Sequence, residues 1–420
     1  MKRELALQLL RNIIPESDLD EDKFQRIFAE LGILAEQKYD RYEMYQPGRL
    51  FFENLYAWLL KFDEPERIAA LNFIRDRLIY VSRQEFEQLT QILYNDRIRQ
   101  AQIDLVSSRT GIPRFKIRQL TEHPEMKRIQ RSSLYVGMSD GSRIDYLRRQ
   151  NLEITNEQVL PSYDQSAEKI GDILKELQKE YGSDAQFECL FLIDDFCASG
   201  KTFLREVVSD TLAASIELVI PEALKSLIKY DAETRKIKLN YREGGISETE
   251  ISTLKGLSEA PEYVAALETL LERHSHREVE VAGSLPRLSE RGLFGILSAT
   301  ATVYFCPLLI TEYAQVRIEQ ISKRSPVCGA HSLRILPSAR IPDSARIRET
   351  DLGSNPIAGI CDKYYDEAIE DEHTGNVKYG YADCGLPVVL HHNTPNNSLF
   401  ILWSRKWVNP LFVRYERHGR

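Results

Sequence analysis

The chain is poor in sulfur. Six cysteines stand among 420 residues, at positions 189, 197, 306, 328, 361 and 384, and no two of them form a CxxC pair. A disulfide scaffold and a zinc ribbon are thereby excluded, and a reducing cytoplasm is the expected location. Long apolar runs are missing as well. Mean hydropathy is −0.36, and nothing approaches the roughly 18 consecutive apolar residues of a membrane span. The opening MKRELALQLLRNIIPESDLDEDK lacks a small-residue cleavage site after an apolar run, so no signal peptide is expected. An excess of positive charge is absent too: 55 Lys and Arg face 63 Asp and Glu, a net charge of −8. Wholesale coating of nucleic acid is disfavoured, although a local basic patch remains compatible with it.

What is present is ordinary for a globular protein: 43% hydrophobic and 28% charged residues. There is enough apolar material for a core, and no repeat or low-complexity tract. At about 150 residues per domain, the length amounts to about three domain-equivalents, or one large domain with insertions.

Residues 1–128 read as a helical N-terminal region. Phe24, Ile27, Phe28, Leu31 and Leu34 recur at helical spacing. Pro65 suits a first helical turn after Asp63 and Glu64, and Ser82 with Glu85 has the spacing of a capping box. The pattern changes near residue 132. SLYVG (133–137) is a short apolar run that leads into SDGSR (139–143), and Ile170, Ile173, Leu174 and Leu177 then mark a helix. FECLFLI (187–193) suits a strand buried on both faces, and it runs into DDFCASGKT (194–202) and a further helix from Phe203. ATVYFC (301–306) is another buried-strand candidate, followed by Pro307 and a helix in TEYAQVRIEQI. The alternation of strand, loop and helix predicts a doubly wound α/β parallel sheet over 129–324. It is interrupted by a charged, helical insertion at about 207–298, which includes EYVAALETLLERHSHREVE (262–280), and is followed by a C-terminal hood over 325–420.

Charge is uneven. Residues 91–150 carry 12 Lys and Arg against 6 Asp and Glu, whereas residues 351–380 carry 2 against 7. The basic run contains GIPRFKIRQL (111–120), which faintly resembles the turn and second helix of a helix-turn-helix but reads better as a basic helix packed beside the core.

Two loops carry the chemistry. At the second of these loops, Asp194 and Asp195 close the buried strand with paired carboxylates, and a short loop from Phe196 to Thr202 follows. Ala198, Ser199, Gly200, Lys201 and Thr202 then open a helix whose backbone N–H groups suit an anion, with Gly200 admitting close approach. Acids at one end and phosphate donors at the other suit a sugar phosphate. SGKT invites a nucleotide P-loop reading, but that motif needs a glycine where Asp195 stands, and a carboxylate there would repel the phosphate. In the earlier loop, Ser139, Gly141 and Ser142 offer donors, Arg143 brings charge, and Asp140 is placed to orient the loop or meet a metal ion.

LFLIDDFCASGKT (190–202) resembles the signature of the type I phosphoribosyltransferases: an apolar strand, two acids, two apolar residues, a variable residue, Thr or Ser, Gly, a variable residue, Thr. The upstream loop fits the pyrophosphate loop of such enzymes, with Ser139 lying 55 residues before Asp194. The chain further resembles the phosphoribosyltransferase-like proteins of bacterial conflict systems, antiphage and retron-associated. That likeness rests on SLYVGMSDGSRIDYLRR (133–149), LFLIDDFCASGKTF (190–203), VYFCPLLITEYA (303–314) and GYADCGLPVVLHHNTPNNSLFILW (380–403). The resemblance implies phosphoribosyl pyrophosphate, or a related ribose phosphate, as ligand and Mg²⁺ as cofactor held at Asp194 and Asp195. Those acids would contact the ribose hydroxyls, Ala198–Thr202 would cradle the 5′-phosphate and Ser139–Arg143 the pyrophosphate. Arg143, Arg148 and Arg149 would neutralise the leaving group. The implied activity is transfer to a nucleobase, nucleotide or related metabolite in antiphage defence, with protein or nucleic-acid partners from a defence operon, no membrane, and homo-oligomerisation left open.

One departure matters. Ala198 stands where the hypoxanthine-guanine branch has its general-base aspartate. A catalytically inactive sugar-phosphate sensor or regulatory module is therefore an alternative, and a nucleic-acid-binding subunit another. The polar cluster His391, His392, Asn393, Asn396 and Asn397 reads either as a turn capped by its own side chains or as part of a hood reading the acceptor. Cys197 is expected to be buried packing.

Overall fold

The apolar run ending at Ile193 is a strand buried along its length, and the sheet is built around it. The computed structural model describes residues 3–14, 17, 19–162, 166–204, 207, 228–231, 236–239, 280–281, 293–324, 331–370, 376–404 and 410–414. Its strands, in chain order, are β1 (Ile79–Val81), β2 (Ser133–Gly137), β3 (Val159–Leu160), β4 (Phe187–Cys197), β5 (Ile228–Asp231), β6 (Lys236–Leu239), β7 (Glu280–Val281), β8 (Leu297–Thr311), β9 (Ser332–Ile335), β10 (Ala339–Ile341) and β11 (Val388–Leu390). The main sheet has the order β10-β8-β4-β2-β3, with β9 also on β8. The pairs β2–β3, β2–β4, β4–β8 and β8–β9 are all parallel. This is the α/β parallel sheet that the alternation predicted.

Period-two alternation explains both faces. Leu134, Val136, Leu190, Leu192, Val303 and Phe305 form one core with Ile170, Ile173 and Leu177 of the helix Ala167–Tyr181 and with Ile318 of the helix Glu312–Arg324. On the opposite face the in-register row Tyr135, Phe191 and Tyr304 stacks ring on ring, with centroids 5.3 and 4.8 Å apart.

Tertiary contacts divide the chain into two units, Met1–Gln88 with Ile341–Arg420, and Leu89–Arg340. The first unit has its own core, in which Phe24, Phe28, Leu55, Trp58 and Leu71 meet Ile357, Phe400, Leu402 and Phe412. Trp58 Nε1 donates to the Ile401 carbonyl at 2.7 Å. Its helices begin where their caps say. Asp20 accepts from the Lys23 N–H, Asp63 and Glu66 form a reciprocal box with Pro65 in the first turn, and Ser82 and Glu85 form another.

Several elements differ from the sequence reading. β1 lies inside the region read as purely helical and pairs in parallel with β11, a partner some three hundred residues away that local patterning cannot signal. β8 runs from Leu297 to Thr311, well beyond 301–306. Pro307 does not end it, because its carbonyl still accepts from the Ser338 N–H. Within the insertion, the described residues include the antiparallel strands β5, β6 and β7 and the short helical turn Leu293–Ile296. The helix expected over 262–280 lies outside the described residues, except for Glu280, which opens β7.

Candidate active site

In strand order, the chain leaves β2 toward β3 on one side, and leaves β4 toward β8 on the other. Connections that diverge from neighbouring parallel strands leave a crevice at their carboxyl ends, the general ligand position in open α/β sheets. Both predicted loops sit there.

The two acids belong to the strand itself and not to the loop after it. β2 pairs with β4 only as far as Gly137 opposite Ile193, and the Met138 N–H still donates to the Ile193 carbonyl at 2.8 Å. β8 continues alongside β4, with Asp194 opposite Pro307 and Cys197 opposite Ile310. Asp194 and Asp195 thus occupy the stretch of β4 that has lost its neighbour on the β2 side. Successive strand residues face opposite ways, yet the Ser139 hydroxyl reaches both: Asp194 Oδ1 at 2.7 Å and Asp195 Oδ1 at 3.3 Å. A serine hydroxyl has a single proton, so the shorter contact is the principal bond. Each acid also accepts the following residue's backbone N–H, Asp195 to Asp194 at 3.1 Å and Phe196 to Asp195 at 2.9 Å.

Asp194 is buried, whereas Asp195 is half-exposed. Burial, and next the Asp195 carboxylate, push the Asp194 pKa well above the usual carboxylate range, against the lowering effect of the Ser139 hydrogen bond. Gly141 explains the close approach of the upstream loop. A Cβ there would lie 2.7 Å from Asp195 Cγ, so any larger residue forces the loop or that carboxylate to shift. Asp140–Ser142 form one tight turn, Arg143 follows in the left-handed region at φ 43°, and the helix Ile144–Gln150 begins. Ser142 is buried, with its hydroxyl beside Gly137. Arg148 and Arg149 lie on that helix, where Arg149 is exposed and pairs with Asp145.

The downstream loop is tied to β8 and the helix after it. Gly200 takes φ 73°, and Lys201 and Thr202 lie in the short helical turn Lys201–Phe203. The longer helix expected from Phe203 onward falls mostly outside the described residues, as do the roles expected of the Asp140 and Thr202 side chains. The Lys201 N–H donates to Ser199 Oγ at 3.3 Å. Cys197 is buried in the apolar core, as its packing role required.

Sequence reasoning missed two residues that shape this loop. Thr311 Oγ1 donates to the Ala198 carbonyl at 2.6 Å, and Arg317 Nη1 to the Ser199 carbonyl at 3.4 Å. The only local signal was a threonine just before the acidic first turn of a helix, which reads as a cap.

Among the described residues no group of three or more His, Cys, Asp or Glu converges on a metal position. Asp194 and Asp195 offer two carboxylates, one of them buried beside a like charge that a hard cation would relieve. This fits Mg²⁺, which takes few protein oxygens and completes its shell with phosphate and water.

The other candidates have local partners of their own. Asn393 closes a turn on Leu390 and caps Thr394, and Asn397 donates to the Tyr381 carbonyl; His391 is buried, edge-on to Phe86 and 3.7 Å from Glu43. The segment 111–120 supplies only the short helix Ile117–Glu122, anchored by buried Leu120. Much of the basic run is engaged in ion pairs: Arg109 and Arg128 hold buried Glu188, Arg131 pairs with Glu180, and Arg114 with Asp104. Among the described residues no helix is long and apolar enough to cross a membrane.

The PRTase-CE family model, a phosphoribosyltransferase-type domain, matches residues 55–414. No curated protein and no solved structure matches the chain.

Proposed function

Because this chain belongs to the PRTase-CE family and carries a phosphoribosyltransferase-type domain, we propose that its switch-point crevice binds phosphoribosyl pyrophosphate with Mg²⁺ and transfers the phosphoribosyl group to a nucleobase, nucleotide or related metabolite. The observation that carries this reading is the Ser139 hydroxyl lying against both Asp194 and Asp195. It brings a donor-rich loop and a carboxylate pair to one point at the open end of a parallel sheet.

Each group has a task. Asp194 and Asp195 accept hydrogen bonds from the ribose 2′- and 3′-hydroxyls and orient the sugar. The backbone of Ala198–Thr202 takes the 5′-phosphate, and Ser139, Gly141, Ser142 and Arg143 take the pyrophosphate. Bound Mg²⁺, held by the two acids, would supply charge neutralisation of the pyrophosphate. As the bond from C1′ to the pyrophosphate oxygen breaks, positive charge grows on the ribose and negative charge on the departing group. Fixed donors aimed at that oxygen lower the barrier more than they lower the ground state. A role in antiphage defence fits the resemblance and belongs to the same proposal.

Calorimetry with phosphoribosyl pyrophosphate and Mg²⁺, together with a pyrophosphate-release assay, tests this. The Asp194→Asn/Asp195→Asn double variant is expected to lose both signals while keeping its fold, and full binding in that variant would overturn the assignment. A second reading rests on Ala198, which is buried and brings no acid to the loop: the crevice senses the sugar phosphate without transfer. Binding with no pyrophosphate release across a panel of nucleobases favours the sensor.

A further inference from the structure

We infer that Thr311 is a positioning residue that aims the phosphate-binding backbone of the 198–200 loop. The inference rests on the sugar-phosphate reading of that loop. β4 and β8 stay paired up to Cys197 opposite Ile310; after that, one chain turns into the loop and the other into the helix Glu312–Arg324. Thr311 stands at this fork and is 1% exposed. Its hydroxyl acts in two directions at once: it donates to the Ala198 carbonyl at 2.6 Å and accepts from the Ala314 N–H at 3.0 Å. It therefore caps a helix of 13 residues and ties that helix to the loop with one oxygen.

A trans peptide is planar, and its C=O and N–H point to opposite sides. Holding the Ala198 carbonyl toward Thr311 turns the Ser199 N–H the other way. Arg317, on the same helix, acts alike on the next peptide: its guanidinium engages the Ser199 carbonyl and turns the Gly200 N–H away from it. The Gly200 carbonyl is taken in turn by the Leu204 N–H at 2.9 Å. Three successive carbonyls are thus engaged, by a hydroxyl, a guanidinium and a backbone amide, and Gly200 at φ 73° supplies the turn that no β-carbon-bearing residue adopts easily. Successive N–H groups oriented in this way make an anion-binding concavity without a long helix behind it. Thr311 and Arg317 touch no substrate; they act through the peptide planes.

The test uses the full chain and two probes, ribose 5-phosphate and inorganic pyrophosphate. Thr311→Val keeps the shape and loses the hydroxyl, whereas Thr311→Ser keeps it. Loss of one orienting hydrogen bond is expected to weaken ribose 5-phosphate binding about five- to tenfold in Thr311→Val. Pyrophosphate binding should stay unchanged, and Thr311→Ser should restore wild-type affinity. A general loss of structure would move both probes together. Equal ribose 5-phosphate affinity in Thr311→Val and Thr311→Ser overturns the proposal, as does parallel weakening of both probes. If Thr311→Val does not fold, Arg317→Gln releases the Ser199 carbonyl without touching the cap; unchanged ribose 5-phosphate affinity in that variant also overturns it. A wild-type chain that binds neither probe refutes the underlying site reading and not the positioning step alone.

Discussion

Ser139 donates its hydroxyl to Asp194 Oδ1 at 2.7 Å, joining the upstream loop to a strand acid 55 residues further along the sequence. The bond lies where β4 has outrun β2, just past the last pair Gly137 and Ile193. It is also a hydrogen bond that favours the ionised form of an acid which burial and Asp195 push toward the protonated one. The site is held in tension by its own charges.

That tension has a pH signature. Asp194 has a folded pKa above its ordinary 3.8, so the unfolded chain ionises this group first. Its contribution is least unfavourable below about pH 4 and becomes destabilising as pH rises toward the raised folded value. Asp194→Asn removes the penalty while its amide oxygen still accepts from Ser139. At neutral pH the variant should melt about 2–4 °C higher for each kcal/mol relieved, with the gain vanishing below about pH 4. Melting curves across pH 3–8 check this, and a gain that persists undiminished at the acid end refutes it.

Gly141→Ala should separate binding from folding. The new Cβ falls 2.7 Å from Asp195 Cγ, so the upstream loop or the Asp195 carboxylate must shift and their contact is disturbed. The loop carries little of the core, so stability should change by about 0.5 kcal/mol or less, the usual range for surface sites. Affinity for phosphoribosyl pyrophosphate should fall at least about tenfold, which is about 1.4 kcal/mol. Thermal melting reads the first arm and titration calorimetry the second, and unchanged affinity contradicts the loop's role.

Glu188→Gln addresses stability far from the crevice. Glu188, near the start of β4, is buried and answers both Arg109 and Arg128. The arginines are partly exposed, so the loss should sit below the 3–5 kcal/mol of a fully buried pair, at about 1–3 kcal/mol. Denaturant unfolding measures it, and ligand affinity in the folded variant should be unchanged.

Removing residues 341–420 should undo the first unit. Ile401 accepts from Trp58, and Phe400, Leu402 and Phe412 complete the core built by the N-terminal helices. Without them the indole loses its partner and its apolar cover. Tryptophan emission should shift to the red, and protease should cut within the first 88 residues of the shortened chain. A native emission spectrum in that chain contradicts the division into units.

Sequence by itself determined the elements whose causes are local. Helical spacing at Phe24, Ile27, Phe28 and Leu31, the Ser82/Glu85 box, and the unbroken apolar run into Asp194 all fix backbone and burial through near neighbours. The order of strand, loop and helix determined the parallel sheet, and the two loops named the residues that converge. Tertiary structure decided what depends on register and on distant chain. It set β2 to stop at Gly137 while β8 continued, which left Asp194 and Asp195 on an open strand edge. It paired β1 with β11, joined the chain's two ends in one core, and matched the arginines of the basic run to Glu180 and Glu188. It placed Thr311 against Ala198 across 113 residues. The physical reason is range: propensity, capping and alternation act over a few residues, whereas strand pairing and a hydrogen bond at the fork of two strands depend on which distant segment arrives beside them.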